Sequence, residues 1–207
     1  MTDRADDSAQ TDLEAKMADA GFGKGYRYYA LGLLTVVYIF NFIDRQIVVI
    51  LQESIKAELG LMDWQLGMLS GFAFAVFYVT MGVPIARIAD RGTRRNVISF
   101  SLALWSAMTA LCGTVSSFWQ LLLARIGVGV GEAGCSPPAH SIISDMFPVE
   151  SRATALSTYN MGINFGVFIG FLAGGWINEY LGWRLAFICV GIPGILFAVW
   201  VRLTLKE

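Results

Sequence analysis

Four ionisable side chains interrupt the long apolar runs of this 207-residue chain: Asp44, Arg45, Arg125 and Glu132. A charge at membrane depth costs roughly 2.5–3.5 kcal/mol on insertion scales, so four unpaired ones cost on the order of 10 kcal/mol. A chain keeps such a burden where the charges pair or work. A cavity lined by Arg45 and Arg125 would suit an anionic head group, and Asp44 or Glu132, partly desolvated, could exchange a proton. The plainer alternative is an ion-pair network that only ties two helices together. At about 1.5 Å per helical residue, Asp44 stands about 24 Å along its run from Tyr28, and Arg125 roughly 9 Å along its run from Trp119. Both therefore fall at similar heights in the outer half of a bilayer. Glu132 follows Arg125 by seven residues, two turns along the same face.

A second constellation is the turn Asp90-Arg91-Gly92-Thr93-Arg94-Arg95 between two apolar runs. Its arginines set topology. They also suit a latch, in which Asp90, Arg91, Arg94 or Arg95 pairs with a neighbouring helix end in one conformation only. Asp145, Glu150 and Arg152 are the natural partners. No Ser/His/Asp arrangement, metal-ligand cluster or phosphate loop stands in a soluble context. Enzyme activity, a cofactor, a bound metal and nucleic-acid binding therefore have no support. Lone His140 reads as a satisfied or solvent-facing side chain, and the span 2 aromatics Phe72, Phe74, Phe77 and Tyr78 read as packing against lipid or neighbours.

These residues need membrane helices to position them. The chain is 56% hydrophobic and 15% charged, with a mean hydropathy of +0.58. A spanning helix takes about 20 mostly apolar residues, and six runs qualify, roughly 28–51, 65–88, 96–114, 118–142, 153–177 and 184–203. Of the 15 Lys and Arg residues, Arg45 and Arg125 lie within spans and 11 fall on the side of the termini and the Asp90 turn. Lys56 and Arg184 fall on the other side. The positive-inside rule puts both termini in the cytoplasm. Residues 1–25 read as a mobile acidic cytoplasmic tail without the apolar core of a signal peptide, and 26–207 as one helical bundle.

Six spans with both ends inside suggest an inverted three-plus-three repeat. Spans 1 and 4 each carry an acid and an arginine. The Ala86…Asp90-x-Gly92 turn is echoed at the opposite side by Gly175…Glu179…Gly182-x-Arg184. Gly67/Gly71 and Gly166/Gly170/Gly174, spaced by four, predict close helix contact. Gly129-Val-Gly131-Glu-Ala-Gly134 spells a dinucleotide fingerprint, but no strand precedes it, so it is rejected. Pro137-Pro138 predict a bend in span 4, Asp63 an N-cap, and Cys112, Cys135 and Cys189 small apolar fillers.

The segment Ala86-Arg-Ile-Ala-Asp90-Arg91-Gly92-Thr-Arg94-Arg95 resembles the signature between spans 2 and 3 of the major facilitator superfamily, with Ala86 in place of the usual glycine. Arg125-x-Gly127-x-Gly129-x-Gly131 resembles its span 4 motif. Gly166-x3-Gly170-x3-Gly174-Gly175 resembles the span 5 motif of its antiporters, with Phe171 where they carry proline. Asn41-Phe-Ile-Asp44-Arg45-Gln and Arg125-Ile-Gly-Val-Gly-Val-Gly-Glu132-Ala resemble the Spinster branch, whose animal members export sphingosine phosphate or lysophospholipids.

The resemblance implies an all-α membrane protein, six transmembrane helices forming half of a twelve-helix fold. It implies the N-terminal half of a proton-coupled, alternating-access transporter of a bacterial inner membrane. The implied partners are the bilayer, protons, an amphipathic or lysolipid substrate and a C-terminal six-helix half. Asp44 and Glu132 become the proton-linked acids and Arg45 and Arg125 their switching partners. A non-transporting scaffold or regulatory half-protein, and a drug or metabolite transporter of the same superfamily, are the alternatives.

Overall fold

The structure of the chain, a computed structural model, describes residues 23–206, with the side chains of residues 90 and 91 excepted. The acidic tail lies outside the described residues as far as residue 22, and so do the side chains of Asp90 and Arg91 in the expected latch. Residues 24 and 25, read as tail, instead open the first helix.

Helix α1 is Lys24–Leu59. Its buried residues Leu34, Val37, Asn41, Asp44, Val48, Leu51 and Ile55 recur at steps of three and four, the period of one helix face. It ends at Gly60, whose φ of 64° is left-handed and whose N–H donates to the Lys56 carbonyl, a conformation that glycine adopts without a Cβ penalty. The rod α2 joins Asp63–Gly67, a π-helical turn Met68–Phe72 and Ala73–Arg91. Asp63 is the first helical residue rather than the N-cap, which is Met62; its carboxylate is drawn to Lys56 across the turn instead. Then come α3, Arg94–Cys112, and α4, Phe118–Glu132, capped by the Ser117 hydroxyl, which accepts from the Gln120 N–H.

Pro137-Pro138 do not bend span 4. The helix stops at Glu132, and the two prolines stand in the first turn of a separate helix, α5, Ser136–Met146, where their missing N–H groups need no intrahelical partner. Helix α6, Val149–Thr204, turns back on itself at Gly182, whose φ of 79° again needs glycine. Its first limb runs along α1, from Gly162 beside Thr35 to Asn178, which donates to Ser54 at 3.0 Å. Its second limb returns along α3, from Arg184 beside Val115 to Leu205 beside Arg95.

By length and hydropathy alone, α1, Asp63–Ala89 and Val149–Thr204 are long and apolar enough to cross a membrane, and the third supplies two passes. Helix α3 begins Arg94-Arg95-Asn96 and α4 has only 15 residues before its break, so composition marks those two passes less clearly.

The pairings repeat as an inverted three-plus-three arrangement requires: α1 against the first limb of α6, and α4 against α2. Gly166, Gly170 and Gly174 do line the contact face, and the stripe extends back to Gly162. A Cβ on Gly166 would lie 2.7 Å from the Ile39 carbonyl oxygen. Gly67 and Gly71 meet no such neighbour among the described residues: both are exposed, with nothing within 4 Å of a Cβ. Cys112 and Cys135 fill the interior, while Cys189 is exposed.

The interior divides into two apolar clusters. One holds Leu34, Val37, Leu102 and Val128, the other Ile47, Leu51, Cys112, Leu121 and Ala124. Asp44, Thr109 and Arg125 fall in the gap between them on α1, α3 and α4. The fold therefore places these three polar residues in a seam between two apolar layers.

Candidate functional site

The seam is built from neighbours on one helix and a two-turn spacing on another. Adjacent residues on α1 point about 100° apart at 3.6 residues per turn, so Asp44 and Arg45 serve different partners. Asp44 faces α3 and α4. Its Oδ1 accepts from the Thr109 hydroxyl at 2.7 Å and lies 3.6 Å from Arg125 Nη1. Arg45 reaches toward α2 and donates through Nε to Glu132 Oε2 at 2.7 Å. The result is a crossed pair of ion pairs joining α1 to α4, and each carboxylate also feels the other and both guanidiniums.

Exposure separates the members. The side chains of Asp44, Arg125 and Glu132 are at most 2% exposed, whereas that of Arg45 is 28% exposed. The cavity expected between two arginines is therefore corrected to one: Arg45 alone meets open space, and Arg125 is enclosed because α4 is held tightly by its glycines. A Cβ on Gly131 would sit 2.8 Å from the Trp105 backbone nitrogen, and one on Gly129 3.0 Å from the Phe74 carbonyl oxygen. The crevice beside Asp44, lined by Trp105, Thr109 and Gly191, has no room for a water molecule.

Several buried polar atoms have no hydrogen-bond partner: Asp44 Oδ2, Glu132 Oε1, Arg125 Nε and Nη1, and Asn41 Oδ1. Buried polar groups are ordinarily satisfied, so this concentration in one seam calls for a reason. Each of the two carboxylates has one oxygen without a hydrogen-bond partner.

Sequence reasoning missed two supports of the cluster. Thr109 carries no signature, since a lone threonine in an apolar run bonds its own helix as readily as a distant acid. The other is an aromatic cage. The Arg45 guanidinium carbon lies 5.1, 5.0 and 4.9 Å from the ring centres of Phe42, Phe74 and Tyr78. Phe74 also lies 5.7 Å from that of Arg125, so one ring serves both cations. The i, i+4 spacing of Phe74 and Tyr78 was the available signal. His140 sits edge-on to Tyr159 at 5.2 Å.

At the α3 start, Arg94 pairs with Asp145 of α5 and donates to Ser141 Oγ at 2.7 Å. Arg95 donates instead to the Leu205 carbonyl at 3.1 Å, closing the end of α6. Arg152 is not drawn into this contact, and its Nε is buried without a partner. The opposite end has its own clamp: Arg184 pairs with Glu58 at 2.8 Å and donates to the Val115 carbonyl, while Trp183 Nε1 donates to the same Glu58.

Comparison with known proteins gives these charges a family. The model of the Major Facilitator Superfamily matches residues 34–207. The chain is 38% identical over 174 residues to an MFS-type efflux pump of Mycolicibacterium smegmatis, covering 84% of this chain and 41% of that protein. It is 30% identical over 170 residues to a probable L-galactonate transporter of Escherichia coli, covering 82% and 37%. In three dimensions it is similar to a bacterial homolog to the human lysosomal transporter Spinster in an inward-facing, unoccupied conformation. That match has a TM-score of 0.80 and 42% identity, covering 90% of this chain and 44% of that one. The chain thus spans about two-fifths of the length of these relatives. It belongs to the Major Facilitator Superfamily, as a six-helix half with Spinster-like sequence and fold.

Proposed function

We propose that this chain is the N-terminal half of a proton-coupled secondary transporter that moves an amphipathic lipid or another organic anion by alternating access. The observation that carries the reading is the unequal exposure of the Arg45–Glu132 pair. An anion arriving in the open space competes with Glu132 for Arg45, and the Phe42, Phe74 and Tyr78 rings receive the apolar part of an amphipathic molecule. Glu132, at the buried side, would then hold a charge with its main partner withdrawn. An uncompensated buried charge costs about 3–5 kcal/mol, so the carboxyl takes up a proton. Anion and proton binding are thereby coupled, each favouring the other.

In this reading the half rocks against a second six-helix half. The Arg94–Asp145 contact is the latch at the end that the arginine distribution places in the cytoplasm, and the membrane is a bacterial inner membrane. A second reading, a transporter of drugs or polar metabolites, draws on the relatives described as an efflux pump and an L-galactonate transporter.

A thermal-shift screen of the complete protein at pH 6 and pH 8 tests both, using lysophosphatidate, sphingosine phosphate, galactonate and a cationic drug. Stabilisation by an anion, stronger at the lower pH and lost in Arg45→Gln, is the expected result. Stabilisation by galactonate alone favours the second reading. Absence of any ligand-dependent shift, in the wild type as in the charge-neutral variants, overturns transport in favour of a scaffold.

A further inference from the structure

On the outer wall of the bundle, away from the charge seam, α3 and the second limb of α6 enclose a groove of about 440 Å³. Its lining includes Asn96, Phe100, Ala103, Ile195, Val199 and Arg202, and no acidic residue takes part. The polar members share one end, because α3 begins there and α6 ends there. Seven residues separate Asn96 from Ala103, and seven separate Ile195 from Arg202, so the groove passes from polar to apolar over about 10 Å. Phe100 and Val199 are 70% and 55% exposed and flank its apolar length. Arg202 is exposed and has no ion-pair partner among the described residues. Arg95, beside Leu205, and Lys206 add positive charge at the same end.

We propose that this groove seats an anionic phospholipid, with its phosphate and head group on Arg202 and Asn96 and one acyl chain along Phe100, Ala103, Ile195 and Val199. The charge selects the occupant. A zwitterionic lipid would fill the apolar length but gain little from the basic end. A second copy packed groove to groove would set Arg202 against Arg202 with no acid to offset them, since the groove's lining holds none. The site is separate from the transport reading and survives its failure.

Native mass spectrometry of the complete protein, with dioleoyl phosphatidylglycerol and dioleoyl phosphatidylcholine as competing probes, tests it. The wild type should retain phosphatidylglycerol about fivefold more than phosphatidylcholine, the preference expected from a single basic side chain at an anionic head group. Arg202→Gln should erase that preference and Arg202→Lys should restore it. Ala103→Trp, which fills the groove, should lower retention of both lipids. Equal retention of the two lipids by the wild type overturns the proposal. So does an unchanged preference in Arg202→Gln, or a second copy of the protein bound where the lipid should be.

Discussion

Two ion pairs cross the same seam, and they are built differently. Arg45–Glu132 is short, at 2.7 Å, with one partner partly open and caged by three rings. Arg125–Asp44 is longer, at 3.6 Å, wholly enclosed, and leaves Arg125 Nε and Nη1 without hydrogen bonds. Each buried donor left without a partner forfeits desolvation free energy. Access therefore separates the two pairs. In the proposed reading the first pair trades a partner with an arriving anion, while the second, wholly enclosed, responds only when α1 and α4 move.

The largest expected effect separates the pairs by stability. Arg125→Met strands the Asp44 carboxylate and should lower unfolding stability by about 3–5 kcal/mol, seen as a drop in thermal midpoint. The double variant Asp44→Asn with Arg125→Met should recover most of it. Arg45→Met should cost clearly less, since its site is partly open; equal losses would break the distinction. Next comes Thr109→Val, which removes a hydrogen bond to a charged group worth about 1.5–3 kcal/mol. It should destabilise the protein and shift the pH profile of transport, whereas Thr109→Ser should do neither. Smallest is Phe74→Leu, which removes ring contacts worth about 0.5–2 kcal/mol to both cations. It should weaken anion binding with little change in folding, and a purely structural ring would show the reverse.

The sequence pointed to Asp44, Arg45, Arg125 and Glu132 as one set, because intramembrane charge is too expensive to leave unpaired, and the four do meet across α1 and α4. It could not show who pairs with whom, or that only Arg45 is open, since helix rotation decides both. The spacing of Gly166 and Gly170 pointed to a real contact, whereas Gly67 and Gly71, at the same spacing, meet no neighbour among the described residues. A stripe of small residues says that a close approach is possible, not which neighbour takes it. Helix periodicity likewise carried no sign that Pro137-Pro138 would start a helix instead of bending one. The Glu58–Arg184 clamp escaped notice because its residues sit at the ends of elements far apart in the chain.

The central claim is that anion binding at Arg45 drives protonation of Glu132. Infrared difference spectroscopy of the complete protein measures it directly, with the anion that stabilises the protein in the thermal screen as the trigger. The account predicts that adding the anion raises a protonated-carboxyl band in the wild type, and that the band is absent in Glu132→Gln and in Arg45→Gln. A band of wild-type size in Glu132→Gln, or anion binding with no protonated carboxyl formed, would contradict it.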